Sequence, residues 1–90
     1  MPSLDEIDVW FVSPGEQLAV EVKSRRSNDL DLKRGIFQCV KYRAVLEAEN
    51  KAGKIKSTVR ACLVSERKLP NELARLAKLF DIEVKITSPA

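Results

Sequence analysis

The sequence predicts an α/β domain in which a mixed four-stranded sheet packs against two helices, in the order ββαβαβ. Short runs rich in β-branched and aromatic residues, typical of strands, occur at residues 7–12, 17–23, 57–64 and 82–86. Two longer segments with helical spacing of apolar residues follow the second and third of these runs. The chain has 90 residues, 44% of them hydrophobic, which suits one domain spanning residues 1–90.

The first two strands form a predicted hairpin. Residues 13–16 (SPGE) join them with turn chemistry, because proline presets φ and glycine accepts a positive φ. Side chains alternate along a strand. The second strand therefore has Leu18, Val20 and Val22 on one face and Ala19, Glu21 and Lys23 on the other.

The first helix is predicted to follow a polar loop at residues 24–29 and to run to about Asn50. Asn28, Asp29 or Asp31 can cap its start, and Gly53 favours its end. Apolar spacing predicts a core face made of Ile36, Phe37, Val40, Ala44 and Ala48.

The last part of the chain predicts a strand, a helix and a closing strand. Pro70 opens the helix at residues 71–80, whose inward residues are expected to be Leu73, Leu76, Ala77 and Phe80. Connecting the second strand to the third through a long helix requires a crossover. The two strands are therefore expected to be parallel, with a right-handed connection.

Several classes of function are excluded by composition. The chain has no histidine, which removes Ser-His-Asp and Cys-His nucleophiles, histidine zinc sites and a histidine base. Cys39 and Cys62 lack CxxC spacing and lie among apolar residues, so buried thiols in a reducing cytoplasm are expected. The acidic start of the chain does not resemble a secretory signal, and no apolar run is long enough to span a bilayer.

Positive charge is concentrated between Lys23 and Arg43. This segment has seven Lys or Arg residues against two Asp, a net charge of +5, within a chain whose total is +3. Such segregation suits a polyanionic partner. The alternative is the solvated face of a helix.

The hairpin also places charged groups together. If the turn is centred between Pro14 and Gly15, the residue numbers of each opposed pair add up to 29. Asp8 then lies opposite Glu21. Directly opposed carboxylates repel, so they need a cation: Lys23 lies one pair along, and Mg²⁺ is the other candidate. Glu and Lys alternating on a strand are usually solvent-facing, and we interpret Glu83 and Lys85 in that way.

Asp8 on one strand and Glu21-Val22-Lys23 on the next resemble the PD-(D/E)xK nuclease superfamily, which has the restriction-endonuclease-like fold. In FQCVKY, Gln38 and Tyr42 are similar to the Q-x-x-x-Y motif of its recombination-exonuclease branch. The likeness covers residues 4–64. Only seven residues precede Asp8, so the usual N-terminal helix and strand are lacking. A homodimer or a larger parent chain would supply them.

The resemblance implies a metal-dependent nuclease acting on DNA in repair, recombination or restriction. Asp8, Glu21 and the carbonyl of Val22 would bind Mg²⁺ or Mn²⁺, and Lys23 would orient the attacking water and stabilise charge. Gln38 and Tyr42 would orient these groups or contact the nucleic-acid backbone. They share a helical stripe with Arg34.

The loop and helix start that follow the site suit phosphate contacts, which are predicted for Arg25, Arg26, Lys33 and Arg34. For Trp10, burial in the core is expected rather than stacking on a base. Two alternatives to a nuclease stay open. One is a non-catalytic nucleic-acid-binding or scaffold subunit with the same fold, and the other is a small α/β interaction module.

Overall fold

The computed structural model describes residues 9–54 and 56–87. It contains β1 (Val9–Ser13), β2 (Glu16–Lys23), α1 (Asp29–Ala52), β3 (Thr58–Ser65), α2 (Asn71–Leu79) and β4 (Glu83–Ile86). The strands form one sheet in the order β1-β2-β3-β4, in which β1 is antiparallel to β2 and the other neighbours are parallel. The predicted α/β class, mixed sheet and parallel pairing of the second and third strands are confirmed.

The register of the hairpin agrees with the prediction wherever it is described. Ser13 lies opposite Glu16 and Val9 lies opposite Val20, so paired positions sum to 29. Gly15 has φ +83°, a conformation that glycine adopts without the steric cost of a side chain. The predicted pairing of Asp8 with Glu21 lies outside the described residues, because the described part of the chain begins at Val9.

Both helices pack on the same face of the sheet. The strands β2, β3 and β4 follow one another across the sheet. Crossovers of the same hand between such strands keep their helices on one side. The resulting core contains apolar residues of both helices, of β3 and of the flanking loops. Its buried members are Leu32, Ile36, Cys39, Ala61, Leu63, Leu69, Leu73, Ala77 and Ile82.

The predicted core face of α1 is only partly right. Ile36 is buried and Val40 packs against the core, but Phe37 is 44% exposed and Ala44 and Ala48 face solvent. The buried stripe is Leu32, Gly35, Ile36, Cys39, Tyr42, Leu46 and Asn50. The prediction failed because alanine fits either face of a helix, whereas the buried stripe of α1 includes a glycine, a tyrosine and an asparagine.

The ends of the helices follow from local chemistry. Among the predicted caps, Asn28 is the one used, and its side chain accepts a hydrogen bond of 2.8 Å from the Asp31 amide. At the end of α2, Arg43 donates hydrogen bonds to the carbonyls of Phe80 and Asp81, at 2.8 and 2.9 Å. Arg43 therefore satisfies carbonyls at the end of this helix and has a structural role.

Burial confirms the predicted core face of α2 and the predicted environment of the two cysteines. Leu73 and Ala77 of α2 are buried, and Leu76 and Phe80 pack against the core as expected. Cys39 and Cys62 are free, buried thiols. No helix within the described ranges has the length and apolar character needed to cross a bilayer.

The expectation that Trp10 lies in the core is wrong. Every residue of β1 is exposed, and Trp10 keeps 42% of its surface accessible. The physical reason is the position of β1 at the edge of the sheet, beyond the area that α1 covers.

Candidate functional site

Glu21 and Lys23 lie on the face of the sheet that α1 covers. In parallel register, Glu21 is the partner of Leu63 and Lys23 is the partner of Ser65, both of them fully buried. Glu21 is only 5% exposed, and its Oε1 lies 3.9 Å from Nζ of Lys23. A carboxylate and an ammonium group therefore share a largely enclosed place between the sheet and the helix, where their interaction is stronger than in water.

A glycine makes room for the lysine. A Cβ at position 35 would lie 3.1 Å from Cε of Lys23 and 3.0 Å from Cδ1 of Leu63. Glycine inside a helix costs about 1 kcal/mol relative to alanine. At this position it allows the stem of Lys23 to pass between α1 and β3. Sequence reasoning missed Gly35, although an isolated glycine within a helical pattern is a sign of close packing.

The helix places a thiol beside Glu21. Burial raises the pKa of Cys39 to about 12, and the negative charge of Glu21 adds to this effect. Cys39 therefore stays a neutral thiol at neutral pH, which argues against a thiolate nucleophile at this position. Its contribution to the site is to fill space next to the carboxylate.

Gln38 and Tyr42 lie one helical turn apart on α1, and their environments differ. Gln38 is half-buried, and its Oε1 accepts no hydrogen bond from the described residues. Tyr42 is 2% exposed and packs with Ala19, Leu46 and Val59. Burial of its side chain therefore contradicts the prediction that Tyr42 touches a nucleic acid in this conformation. The role that we propose for Tyr42 is orientation of neighbouring groups.

The basic residues predicted to contact phosphates are exposed. They are Arg25, Arg26, Lys33 and Arg34, and their charged groups form no ion pair with the described residues. They follow β2 directly or lie in the first turns of α1. A run of unneutralised cations therefore adjoins the carboxyl end of the strand that carries Glu21 and Lys23.

The loop that carries these arginines is held by the segment after β3. Arg67 donates a hydrogen bond of 2.9 Å to the carbonyl of Ser27 and forms an ion pair with Asp29. The backbone amide of Arg25 donates to Glu66 Oε1 at 3.4 Å. Sequence reasoning missed Glu66 and Arg67. The predicted parallel pairing of β2 and β3 could have identified them. Parallel strands end at the same edge of a sheet, so the residues that follow β2 and β3 lie close together.

The second Glu-x-Lys pattern occupies a different environment. Glu83 lies on the opposite face of the sheet from Glu21, where it pairs with Arg60, and Lys85 is exposed. Arg60 also binds Glu16 at 2.7 Å, so it connects β2 and β4 across β3. The interpretation of Glu83 and Lys85 as surface residues is confirmed.

Within the described residues, the oxygen atoms that the prediction assigns to a cation are those of the Glu21 carboxylate and the Val22 carbonyl. These are hard ligands of the kind that Mg²⁺ and Mn²⁺ prefer, so the chemistry of the donor set fits such a cation. No group of three or more His, Cys, Asp or Glu side chains suited to a metal occurs within residues 9–54 and 56–87. Asp8, the second carboxylate of the predicted set, lies outside the described residues.

No family model, no curated protein and no solved structure matches this chain.

Proposed function

We propose that this chain is a metal-dependent nuclease domain with a restriction-endonuclease-like core, hydrolysing DNA phosphodiester bonds in repair, recombination or restriction. The observation that carries the proposal is the enclosed pair of Glu21 and Lys23, with 3.9 Å between Oε1 and Nζ. A lysine held beside a buried carboxylate is a common feature of functional sites, where burial and charge partners are arranged for chemistry. The exposed pattern Glu83-Val84-Lys85 lacks this enclosure.

Each residue of the site has a proposed role. Glu21, the carbonyl of Val22 and Asp8 hold Mg²⁺ or Mn²⁺. When bound, the metal acidifies a water molecule and neutralises charge on the scissile phosphate. Lys23 positions the attacking water and stabilises negative charge at the phosphate, since its ammonium group donates three hydrogen bonds.

The residues around the site position the substrate and the catalytic groups. Arg25, Arg26, Lys33 and Arg34 contact backbone phosphates, which fixes the strand without reading its sequence. The buried Oε1 of Gln38 lacks a hydrogen-bond donor among the described residues. It is therefore suited to accept a hydrogen bond from a water molecule that enters the site.

A second candidate function is a non-catalytic nucleic-acid-binding or scaffold subunit with the same fold. The observation in its favour is the set of exposed cations next to β2, whose binding to phosphates needs no metal. The two candidates differ in one property: only the nuclease requires Glu21 and Lys23 for its activity.

The decisive experiment incubates the protein with plasmid, flap and single-stranded DNA in Mn²⁺. We expect Lys23→Ala and Glu21→Gln to reduce cleavage by about a hundredfold or more, because Lys23 stabilises charge at the reacting phosphate and Glu21 would hold the metal. Lys85→Ala is the matched control, since it removes the exposed lysine of the same pattern, and its cleavage should equal that of the wild type.

Equal nicking by wild type and Lys23→Ala would identify a contaminant and contradict the proposal. Absence of nicking on every substrate, with salt-dependent DNA binding retained, would select the binding subunit instead. Titration with Mn²⁺ in a calorimeter gives a readout independent of cleavage: Glu21→Gln should lose the heat of metal binding that Lys85→Ala retains.

A further inference from the structure

We infer that Trp10 and the cavity beside it form a stacking site for a base of single-stranded DNA. The inference rests on the proposed function and deepens it, because it names the substrate class. The cavity has a volume of about 430 Å³ and lies between the hairpin and the end of α1. Its lining includes Trp10, Val12, Gln17, Asn50 and Lys56.

The position of Trp10 connects this cavity to Glu21 and Lys23. Trp10 is paired with Ala19, and side chains of opposed residues lie on the same face of a sheet. Glu21 lies two residues beyond Ala19 on that face, roughly 7 Å along the strand, since each residue advances about 3.3 Å. A strand whose phosphate lies at Glu21 and Lys23 therefore has a neighbouring base within reach of Trp10.

The cavity has the chemistry that a nucleobase requires. The exposed indole of Trp10 offers a flat apolar surface, on which any base can stack. Two buried carboxamides are fixed beside it: Gln17 Nε2 donates to Asn50 Oδ1 at 2.8 Å, and Asn50 Nδ2 donates to the carbonyl of Ser57 at 3.3 Å. These bonds leave Gln17 Oε1 without a donor among the described residues, so it can accept a hydrogen bond from a base.

Charge favours a nucleic acid as the occupant. Lys56 and Glu49 both line the cavity, and Lys51 and Lys54 are exposed in the last turn of α1 and just after it, so these four side chains have a net charge of +2. At the other end of β2 lie the exposed Arg25 and Arg26. Cations therefore flank both ends of the path from the cavity to Glu21, which suits the phosphates on either side of a stacked base. A duplex keeps its bases paired and cannot present one to Trp10, so the fitting substrate is single-stranded.

The experiment uses the fluorescence of Trp10, the one tryptophan in the sequence. The protein is titrated in EDTA with a short oligothymidylate, with a strand of equal length made of abasic sites, and with a hairpin duplex. We expect quenching by oligothymidylate alone, because stacking needs an accessible base. Trp10→Ala should weaken binding of labelled oligothymidylate by about tenfold, while Trp10→Phe retains most of it.

Equal quenching by the abasic strand or the duplex overturns the inference, as does unchanged affinity in Trp10→Ala. A fluorescence change that follows protein concentration without DNA also overturns it, because β1 is then a contact between copies. If Trp10→Ala folds poorly, the comparison of quenching by the three DNA ligands in the wild type still decides the test. The assay contains no metal and records no cleavage. If oligothymidylate quenches Trp10 but no DNA is cleaved in Mn²⁺, the proposed nuclease function is contradicted and the stacking site is supported.

Discussion

Gly35 shows how one residue can set the geometry of a site to which it contributes no functional group. Its missing side chain leaves the space that the stem of Lys23 occupies, next to the buried Leu63. A methyl group there gains the helix propensity of alanine, about 1 kcal/mol. It also overpacks a filled core, which costs about 1–3 kcal/mol. Leu63 is fully buried and keeps its close contact with the new methyl group, whereas Cε of Lys23 lies far along a flexible side chain and is the atom that moves aside.

We therefore expect Gly35→Ala to lower the free energy of unfolding by about 1 kcal/mol, the difference between these two effects. Part of this cost should disappear in the double variant Gly35→Ala, Lys23→Ala, since residues in contact are coupled by at least about 0.5 kcal/mol. Urea unfolding of the four proteins in the cycle measures this coupling. Additive effects would show that Gly35 does not act through Lys23.

The two Glu-x-Lys patterns have the same residue types but differ in how far their glutamates are buried. The side chain of Glu21 is 7% exposed under α1, whereas that of Glu83 is 52% exposed and bound to Arg60. Both acids precede a lysine by two residues in a β-rich run. The difference arises because β2 is an inner strand, and the alternation of its side chains directs Glu21 towards the helix-covered face.

At the scale of the element, α1 is the part of the fold that builds the site. Its first turn lies next to the loop that carries Arg25 and Arg26, and its middle places Gly35 and Cys39 over Glu21 and Lys23. The start of the helix is set by Asn28, whose side chain binds the Asp31 amide. Fraying at this end would therefore disturb the basic surface before it disturbs the core.

We expect Asn28→Ala to destabilise the protein by about 1 kcal/mol, because the Asp31 amide loses its capping acceptor. Asn28→Asp is the matched control: it keeps an acceptor oxygen at the N-terminus of the helix, and its stability should equal that of the wild type. Thermal unfolding of the three proteins measures the difference. Equal stability of all three would mean that the bond between Asn28 and Asp31 contributes nothing to stability.

At the scale of the molecule, both helices cover one face of the sheet, and no described helix covers the other. That second face has a stripe of apolar side chains, made of Val9, Phe11, Leu18, Val20, Val22, Cys62 and Val64. Phe11 is 58% exposed and Val22 is 47% exposed. Parallel strands are usually covered on both faces, so this domain has an unusually open sheet.

The arrangement of strands predicts an uneven stability across the sheet. β2 and β3 have a partner on each side, whereas the exposed β1 lies at the edge. We expect backbone amides of β3 to exchange with solvent slowest and those of β1 to exchange much faster, because local opening exposes edge strands first. Hydrogen exchange measured by NMR tests this. Protection of β1 equal to that of β3 would show that another strand covers its free edge.

The sequence by itself determined the order of the elements, the register of the hairpin as far as it is described, and the pattern of alternation in β2. These depend on local physics: strand propensity, turn residues at positions 13–16 and a side-chain period of two. The charged segment between Lys23 and Arg43 was also visible from sequence. Its division into exposed and structural cations was not, since Arg43 finds its partners at the carbonyls that follow α2.

Only the tertiary structure decided which face of α1 is buried and whether β1 is covered. The rotation of α1 over the sheet buried Tyr42 and exposed Phe37, and the edge position of β1 left Trp10 accessible. These outcomes depend on which surfaces meet across the fold, and helical or strand periodicity does not contain that information. The enclosure of Glu21 and Lys23 arises in the same way, because their neighbours Gly35 and Leu63 come from elements that are distant in the sequence.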